Sequence, residues 1–172
     1  FLLSLHTEKI KNTQKKRNMR TRTAQWYETR VRYDKTMEDG QQKKVTELYV
    51  VDALSFGEAE ERITREMSHY ISGEFEVKAI TPTPYGEIFF SDYDKDDRWY
   101  KAKLSFITLD EKTEKEKRTA VNYLVQAGTV QSAVKNIEEV MNGTSIDYVI
   151  AAINETKVMD VFEHSAQTTK EV

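Results

Sequence analysis

The chain has 172 residues, enough for one domain or for two small halves that share a core. It contains no cysteine, which excludes disulfides, thiolate metal sites and cysteine nucleophiles. No stretch approaches the roughly 20 apolar residues that a membrane helix requires, so we expect no membrane partner. The absence of cysteine fits a reducing interior, so we expect a cytoplasmic location.

Residues 1–18 are predicted to be a disordered leader, translated from upstream sequence. The first methionine is Met19, and the leader carries five Lys or Arg against one acid. The alternative is a basic, disordered arm of the natural protein. Residues 19–172 hold 21 Lys or Arg against 28 Asp or Glu, a net charge of −7. This acidic body disfavours non-specific binding to duplex DNA, whose affinity comes mainly from phosphate neutralisation.

Two copies of one segment follow the leader. Trp26-Tyr27 and Trp99-Tyr100 open the copies, and later landmarks recur at offsets of 73 or 74 positions. These landmarks are Tyr49, Val51, Ala53, Ala59, Ile63 and Met67 in the first copy, and Tyr123, Val125, Ala127, Ala133, Ile137 and Met141 in the second. We therefore divide the chain into repeat 1 at residues 19–91, a linker at 92–98, repeat 2 at 99–164 and a disordered tail at 165–172.

Each copy is predicted to fold as strand, strand, helix, strand, strand. Apolar and polar side chains alternate along the strands, and apolar residues return every three or four positions in the helices. The predicted elements of the first copy are strands at residues 24–35, 44–54, 74–80 and 86–91 and a helix at 56–70. Those of the second copy are strands at 99–106, 119–127, 147–153 and 157–163 and a helix at 130–141.

The fold class that follows is α+β, with two tandem β-β-α-β-β repeats. Four strands and one helix make a thin core, so we expect the copies to pack together about a pseudo-two-fold axis. Most links between strands are too short for a parallel crossover, which favours antiparallel sheets.

The opening strand of each copy places a tryptophan and two cations on its solvent-facing side. Bases of single-stranded nucleic acid stack on aromatic rings for about 1–3 kcal/mol each, and nearby cations hold the phosphates. The predicted nucleic-acid-binding residues are Trp26, Arg30, Arg32, Trp99, Lys101 and Lys103. In the alternative interpretation, each tryptophan closes the end of a core and the cations are ordinary solvated residues.

Patterns for catalysis or metal binding are sparse. The three histidines show no ligand spacing, and the sequence has no HExxH motif, phosphate-binding loop or nucleophile elbow. The acidic run 92–97 begins like a calcium loop but has Asp97 at the sixth position and Lys103 at the twelfth, so we interpret it as a charged linker. We predict no catalytic residues, no metal and no cofactor.

Two stretches carry a resemblance to a known family. They are Trp-Tyr-Glu-Thr-Arg-Val-Arg-Tyr at residues 26–33 and Thr-Glu-Leu-Tyr-Val-Val-Asp-Ala-Leu-Ser-Phe-Gly-Glu-Ala-Glu at 46–60. They resemble an uncharacterised family, a domain of unknown function, associated with Bacteroidota and with their phages and mobile elements. The resemblance spans residues 19 to about 165 and implies a bacterial or phage source and an intracellular product. It supplies no activity and no site residues.

The leading functional hypothesis is a non-enzymatic module that binds single-stranded nucleic acid. The main alternative is a protein-interaction or assembly module. In that case an unpaired fourth strand, Gly86–Ser91 or Lys157–Glu163, adds a partner strand or dimerises edge to edge. A third possibility is an enzyme for a small ligand, which requires a deep pocket between the copies with a perturbed acid or base.

Overall fold

The computed structural model describes residues 25–164, and predictions for residues 1–18 and 165–172 lie outside this range. Eight strands and two helices form there. The elements are β1 (Gln25–Thr36), β2 (Gln42–Ala53), α1 (Phe56–Tyr70), β3 (Phe75–Pro82), β4 (Glu87–Phe89), β5 (Arg98–Leu109), β6 (Glu116–Ala127), α2 (Val130–Met141), β7 (Asp147–Glu155) and β8 (Val158–Phe162). The strands build two four-stranded sheets, so the α+β class is confirmed.

The chain divides into two compact units. One is continuous in sequence, residues 84–156, and we call it the central unit. The other, the terminal unit, combines the described residues before position 84 with those after position 156. The divisions fall at 83/84 and 156/157 rather than in the predicted linker 92–98. As a result, β4 belongs to the central unit and β8 to the terminal unit.

In the terminal unit the strand order is β3-β1-β2-β8. β1 pairs antiparallel with both β2 and β3, and helix α1 covers one face of the sheet. Alternate residues of β1 and β2 meet the apolar stripe of the helix because side chains in a strand alternate between its two faces. The buried core consists of Tyr27, Val31, Val51, Ala53, Ala59, Ile63 and Met67.

The central unit repeats this arrangement, with the strand order β4-β6-β5-β7. β5 pairs antiparallel with β6 and β7, and α2 covers one face. Corresponding registers agree: Tyr27 lies opposite Val51 in one sheet, and Tyr100 lies opposite Val125 in the other. In each unit we call the side covered by the helix the helix face and the opposite side the far face.

The prediction of antiparallel sheets is wrong at one edge of each sheet. β8 pairs parallel with β2, and β4 pairs parallel with β6. A parallel pair needs a long connection, and short links between consecutive strands suggested that none was available. That argument does not apply here, because the partner of β8 lies more than a hundred residues earlier in the chain and β5 lies between β4 and β6.

Local capping signals fix where the helices begin. The Ser55 hydroxyl accepts the Glu58 amide at 3.2 Å, and the Glu58 carboxylate accepts the Leu54 amide at 2.9 Å. Thr129 forms a full capping box with Ser132. Within residues 25–164, neither helix is long and apolar enough to cross a membrane.

Candidate binding surfaces

Trp99 is buried on the far face of the central sheet. Only 2% of the residue is exposed, and its ring meets Phe90 edge to face at 5.5 Å between centroids. Leu124 and Ile88, on the same face, are also buried. A ring this enclosed offers no face to a base, so the stacking role predicted for Trp99 is wrong. Strand alternation identified the correct side of the sheet but not the coverage of that side.

Trp26 occupies the corresponding position in the terminal unit and is half-buried. It lies opposite Asp52 on β2, as Trp99 lies opposite Gln126 on β6. Its backbone carbonyl accepts the Thr83 amide at 2.9 Å, which ties the start of β1 to the residue just after β3. Trp26 is therefore less enclosed than Trp99.

The four predicted cations lie on the far faces, two in each unit. Arg30, Arg32 and Lys103 are exposed, and Lys101 is half-buried. Arg30 has Leu48 and Ala79 as its neighbours across the sheet. None of these four side chains takes part in the ion pairs found among residues 25–164. One tryptophan and two cations thus lie on the far face of each unit, and Trp26 is the less enclosed of the two tryptophans.

A buried carboxylate with two phenols lies on the helix face of the terminal sheet. Glu47 is 9% exposed and accepts the hydroxyls of Tyr49 at 2.6 Å and Tyr33 at 3.0 Å. Lys35 Nζ lies 3.4 Å from the same carboxylate. Burial, and then the hydrogen bond to Glu47, raise the pKa of Tyr33 to about 12 and raise that of Tyr49 further. Both phenols stay protonated at neutral pH, so the cluster is a set of fixed donors around one charge.

Sequence reasoning missed this cluster, although a signal was present. Glu47 shares strand parity with Tyr49 and Val51, which face the core. A charged residue on the apolar side of a strand needs partners, because an uncompensated buried charge is costly. The two tyrosines of the same sheet face were the available donors.

The two units differ in the polar contacts of one corner, where the end of the second strand meets the helix. In the terminal unit, Asp52 is 7% exposed and accepts Arg62 Nη1 at 3.1 Å and the His164 amide at 2.9 Å. Arg62 also donates to the Asp52 carbonyl and to Glu58. This corner is therefore held by charged partners.

Two neutral amides stand in the central unit at the positions of Asp52 and Arg62. Gln126 accepts the Ser91 amide at 2.9 Å, and Asn136 donates to the Gln126 carbonyl at 3.0 Å. Asp96, from the run predicted as a charged linker, is 8% exposed and accepts from Ser91 and Asn136. Asp96 therefore ties the run to its unit, while the other residues of 92–97 are exposed. Gly128 permits this, since a Cβ there would lie 2.9 Å from the Lys95 carbonyl.

Pockets and metal sites provide little chemistry among the described residues. A cavity in the terminal unit is lined by Val51, Arg62, Arg65, Glu66, Phe162, Glu163 and His164. Its volume of about 20 Å³ accommodates roughly one water molecule, far less than a typical ligand pocket. No group of three or more His, Cys, Asp or Glu residues within positions 25–164 is arranged to hold a metal ion.

The strand edges give the clearest contrast between the units. β3 and β7 occupy corresponding edge positions, and each contains a bulge opposite the opening strand. β3 carries three residues that discourage pairing with another chain: Glu76, Lys78 and Pro82. The matching residues of β7 are Val149, Ala151 and Glu155, so two of the three protections are absent.

β7 is also exposed where it lacks protection. Val149 is 42% exposed, and Ala151 and Ala152 lie on the surface beside it. Residues 148–154 contain no charged side chain. No described strand pairs with the outer side of β7. The edge therefore presents backbone donors and acceptors next to small apolar side chains.

Comparison with protein families gives one result that covers nearly all of the described chain. A family profile matches residues 25–164, more than half of the sequence and both structural units. Comparison with curated proteins gives no match. The predicted resemblance to an uncharacterised domain is confirmed at this level: the chain belongs to the family described as Domain of unknown function (DUF4494).

Proposed function

We propose that this protein is a non-enzymatic binding module that adds an extended polypeptide strand along β7. The observation that carries the proposal is the contrast between the two edges. β3 bears the charged residues Glu76 and Lys78, whereas β7 bears uncharged residues at the two matching positions. Native proteins protect exposed edges with charge and proline because an unprotected edge pairs with other strands. An edge that lacks this protection fits a role in pairing.

The chemistry of strand addition matches the side chains at this edge. The partner's backbone hydrogen-bonds with the outer side of β7, and its alternate side chains lie beside those of β7 on each face of the sheet. Small exposed residues, Ala151 and Ala152, leave room for an approaching chain. The fourth strands, predicted as unpaired, each pair with one neighbour, so the proposal moves the interaction edge to β7.

A labelled peptide with the sequence of residues 147–155 tests strand addition directly. We expect its fluorescence anisotropy to rise on titration with the full chain. Ala151→Lys, which copies Lys78 of the protected edge, should weaken binding at least tenfold because it places a charge where the peptide would lie. Thr81→Lys on β3 is the matched control and should leave binding unchanged. Absence of peptide binding to the unmodified chain contradicts the proposal.

Single-stranded nucleic acid is a second candidate, restricted to the terminal unit. Three observations favour it: Arg30 and Arg32 are exposed, they take no part in the ion pairs among the described residues, and Trp26 on the same face is only half-buried. A base would stack on Trp26 while the two guanidinium groups contact phosphates. Glu28 lies within the same face and opposes this binding by charge repulsion.

Titration with labelled oligonucleotides at low and moderate salt tests this second candidate. We expect Arg30→Ala with Arg32→Ala to abolish binding, since phosphate contacts supply most of the affinity. Lys112→Ala with Lys115→Ala, in the exposed turn between β5 and β6, serves as the control for loss of two positive charges. A chain that binds no oligonucleotide at low salt excludes the candidate.

A gene duplication best explains the shared arrangement of the units. We infer that both descend from one β-β-α-β-β segment, and that the fourth strand of each copy joined the sheet of the other. The matching registers at Tyr27–Val51 and Tyr100–Val125 support this inference. So do the shared bulges opposite β1 and β5.

A further inference from the structure

We propose that the strand added to β7 is β7 of a second copy of this chain, so that two four-stranded central sheets join into one continuous sheet. This inference rests on the strand-addition function proposed above and names its partner. A symmetric pair of identical edges is the simplest closed assembly, because each copy offers the same surface and the contact uses the β7 edge of both copies. The sequence and the bulge of β7 together specify how the strands would align.

The bulge determines which registers set residues of the same sheet face opposite one another. Lys103 pairs with Ala152 and Leu104 with Ile150, so Ala151 is the extra residue. On the far face β7 therefore presents Val149, which precedes the bulge, and Ala152, which follows it. On the helix face it presents Ile150 and Ile153. Elsewhere in β7, two side chains on the same face are separated by an even number of positions. Across the bulge, the separation is odd.

Among the antiparallel registers that satisfy this pattern about a two-fold axis, one also sets apolar side chains opposite one another. With the axis between Ile150 and Ala151, Val149 of each copy lies opposite Ala152 of the other. Tyr148 likewise lies opposite Ile153, and both are helix-face residues. Residues that oppose one another in a sheet share a face, so apolar side chains meet on both sides.

The charges at the strand ends favour the same register. It places Asp147 opposite Asn154, a neutral amide. Moving the axis to Ala151 places Asp147 opposite Glu155, a repulsive pair, and sets Val149 of the far face against Ile153 of the helix face. The register centred between Ile150 and Ala151 avoids both faults.

Light scattering of the full chain over a range of concentrations tests the pairing. We expect the mass to rise from that of one chain to that of two. Ala151→Lys should raise the dissociation constant at least tenfold, and Thr81→Lys should leave it unchanged. Circular dichroism identifies any variant that fails to fold. In that case the unmodified chain, mixed with an excess of the peptide of residues 147–155, should dissociate to single chains.

Cysteine cross-linking tests the register, and the natural chain has no cysteine to interfere. Chains with Val149→Cys and chains with Ala152→Cys are mixed in the presence of oxidised glutathione. We expect a disulfide-linked pair in the mixture at several times the yield of either variant alone, because residue 149 faces residue 152 and neither faces itself.

Three outcomes separate this inference from the function on which it rests. A chain that binds the peptide but keeps the mass of one chain overturns self-pairing and leaves strand addition intact. A dimer that is insensitive to Ala151→Lys overturns the role of β7 in both. Equal cross-linking yields in the single variants and in the mixture overturn the register.

Discussion

Trp99 is the largest of the fully enclosed side chains in residues 25–164. Its alternation with Tyr100 placed it correctly on the face away from the helix, but alternation only separates two faces. Whether a face is covered depends on chain segments that a local pattern does not include. For this reason the sequence predicts the side of Trp99 and not its burial.

Replacing Trp99 with Ala should lower the free energy of unfolding by about 3–5 kcal/mol, since a large buried aromatic leaves a cavity that its neighbours fill only in part. Trp26→Ala should cost less because its ring is half-buried. Urea denaturation followed by circular dichroism measures both. Equal and small losses would contradict the buried position of Trp99.

Glu47 and its two tyrosines make the free energy of unfolding vary with pH in the alkaline range. Burial and the hydrogen bond to Glu47 raise the pKa of Tyr33 to about 12, from an ordinary value near 10, and raise that of Tyr49 as well. The folded state then holds these phenolic protons more tightly than the unfolded state. The stabilisation is complete below about pH 10 and is lost as the pH rises toward 12.

We therefore expect the free energy of unfolding to fall between about pH 10 and pH 12. The combination Tyr33→Phe with Tyr49→Phe should reduce that slope, while Tyr123, whose pKa burial also raises to about 12, should maintain part of it. Urea unfolding at a series of pH values measures the slope. An unchanged slope in the double variant would show that the Glu47 cluster is not its source.

At the scale of elements, the sequence predicted most strands and both helices because their signals are local. Period-two alternation indicated β1 and β5, and helical spacing after Ser55 and Thr129 indicated α1 and α2. The parallel pairings of β4 and β8 were not predictable in this way. Each depends on a strand distant in the chain, and both strands are too short to show a distinctive pattern.

The coupling between Asp52 and Arg62 can be tested by giving both positions the residue types found at the matching positions of the central unit. Asp52→Gln or Arg62→Asn alone should cost about 3 kcal/mol, because each removes one partner of a largely buried ion pair. The double variant, which copies Gln126 and Asn136, should cost less than the sum by about 1–3 kcal/mol. Denaturant unfolding of the four chains completes the cycle. Strict additivity would mean that the two side chains do not act together.

At the scale of the whole molecule, β8 completes a sheet that begins at the other end of the described chain. Val158 and Val161 are each 6% exposed. Burial of an apolar side chain of this size contributes about 1.5–3 kcal/mol. A chain that stops at residue 156 should therefore lose about 3–6 kcal/mol, whereas one that stops at residue 164 keeps β8 and serves as its control.

Hydrogen exchange shows where that loss occurs. In the chain that stops at residue 156, the amides of β2 should exchange faster because the neighbouring strand is gone. Faster exchange confined to the central unit would contradict the assignment of β8 to the terminal unit.

The closing of one sheet by the last strand also has a consequence for biosynthesis. A ribosome releases β2 long before the strand that will lie beside it, whereas residues 84–156 emerge with every strand of their own sheet. The central unit is therefore able to fold on the nascent chain, and the terminal unit has to wait for the synthesis of β8. A message truncated before the codons of β8 would yield a polypeptide with the flank of β2 uncovered, a substrate for chaperones and proteases.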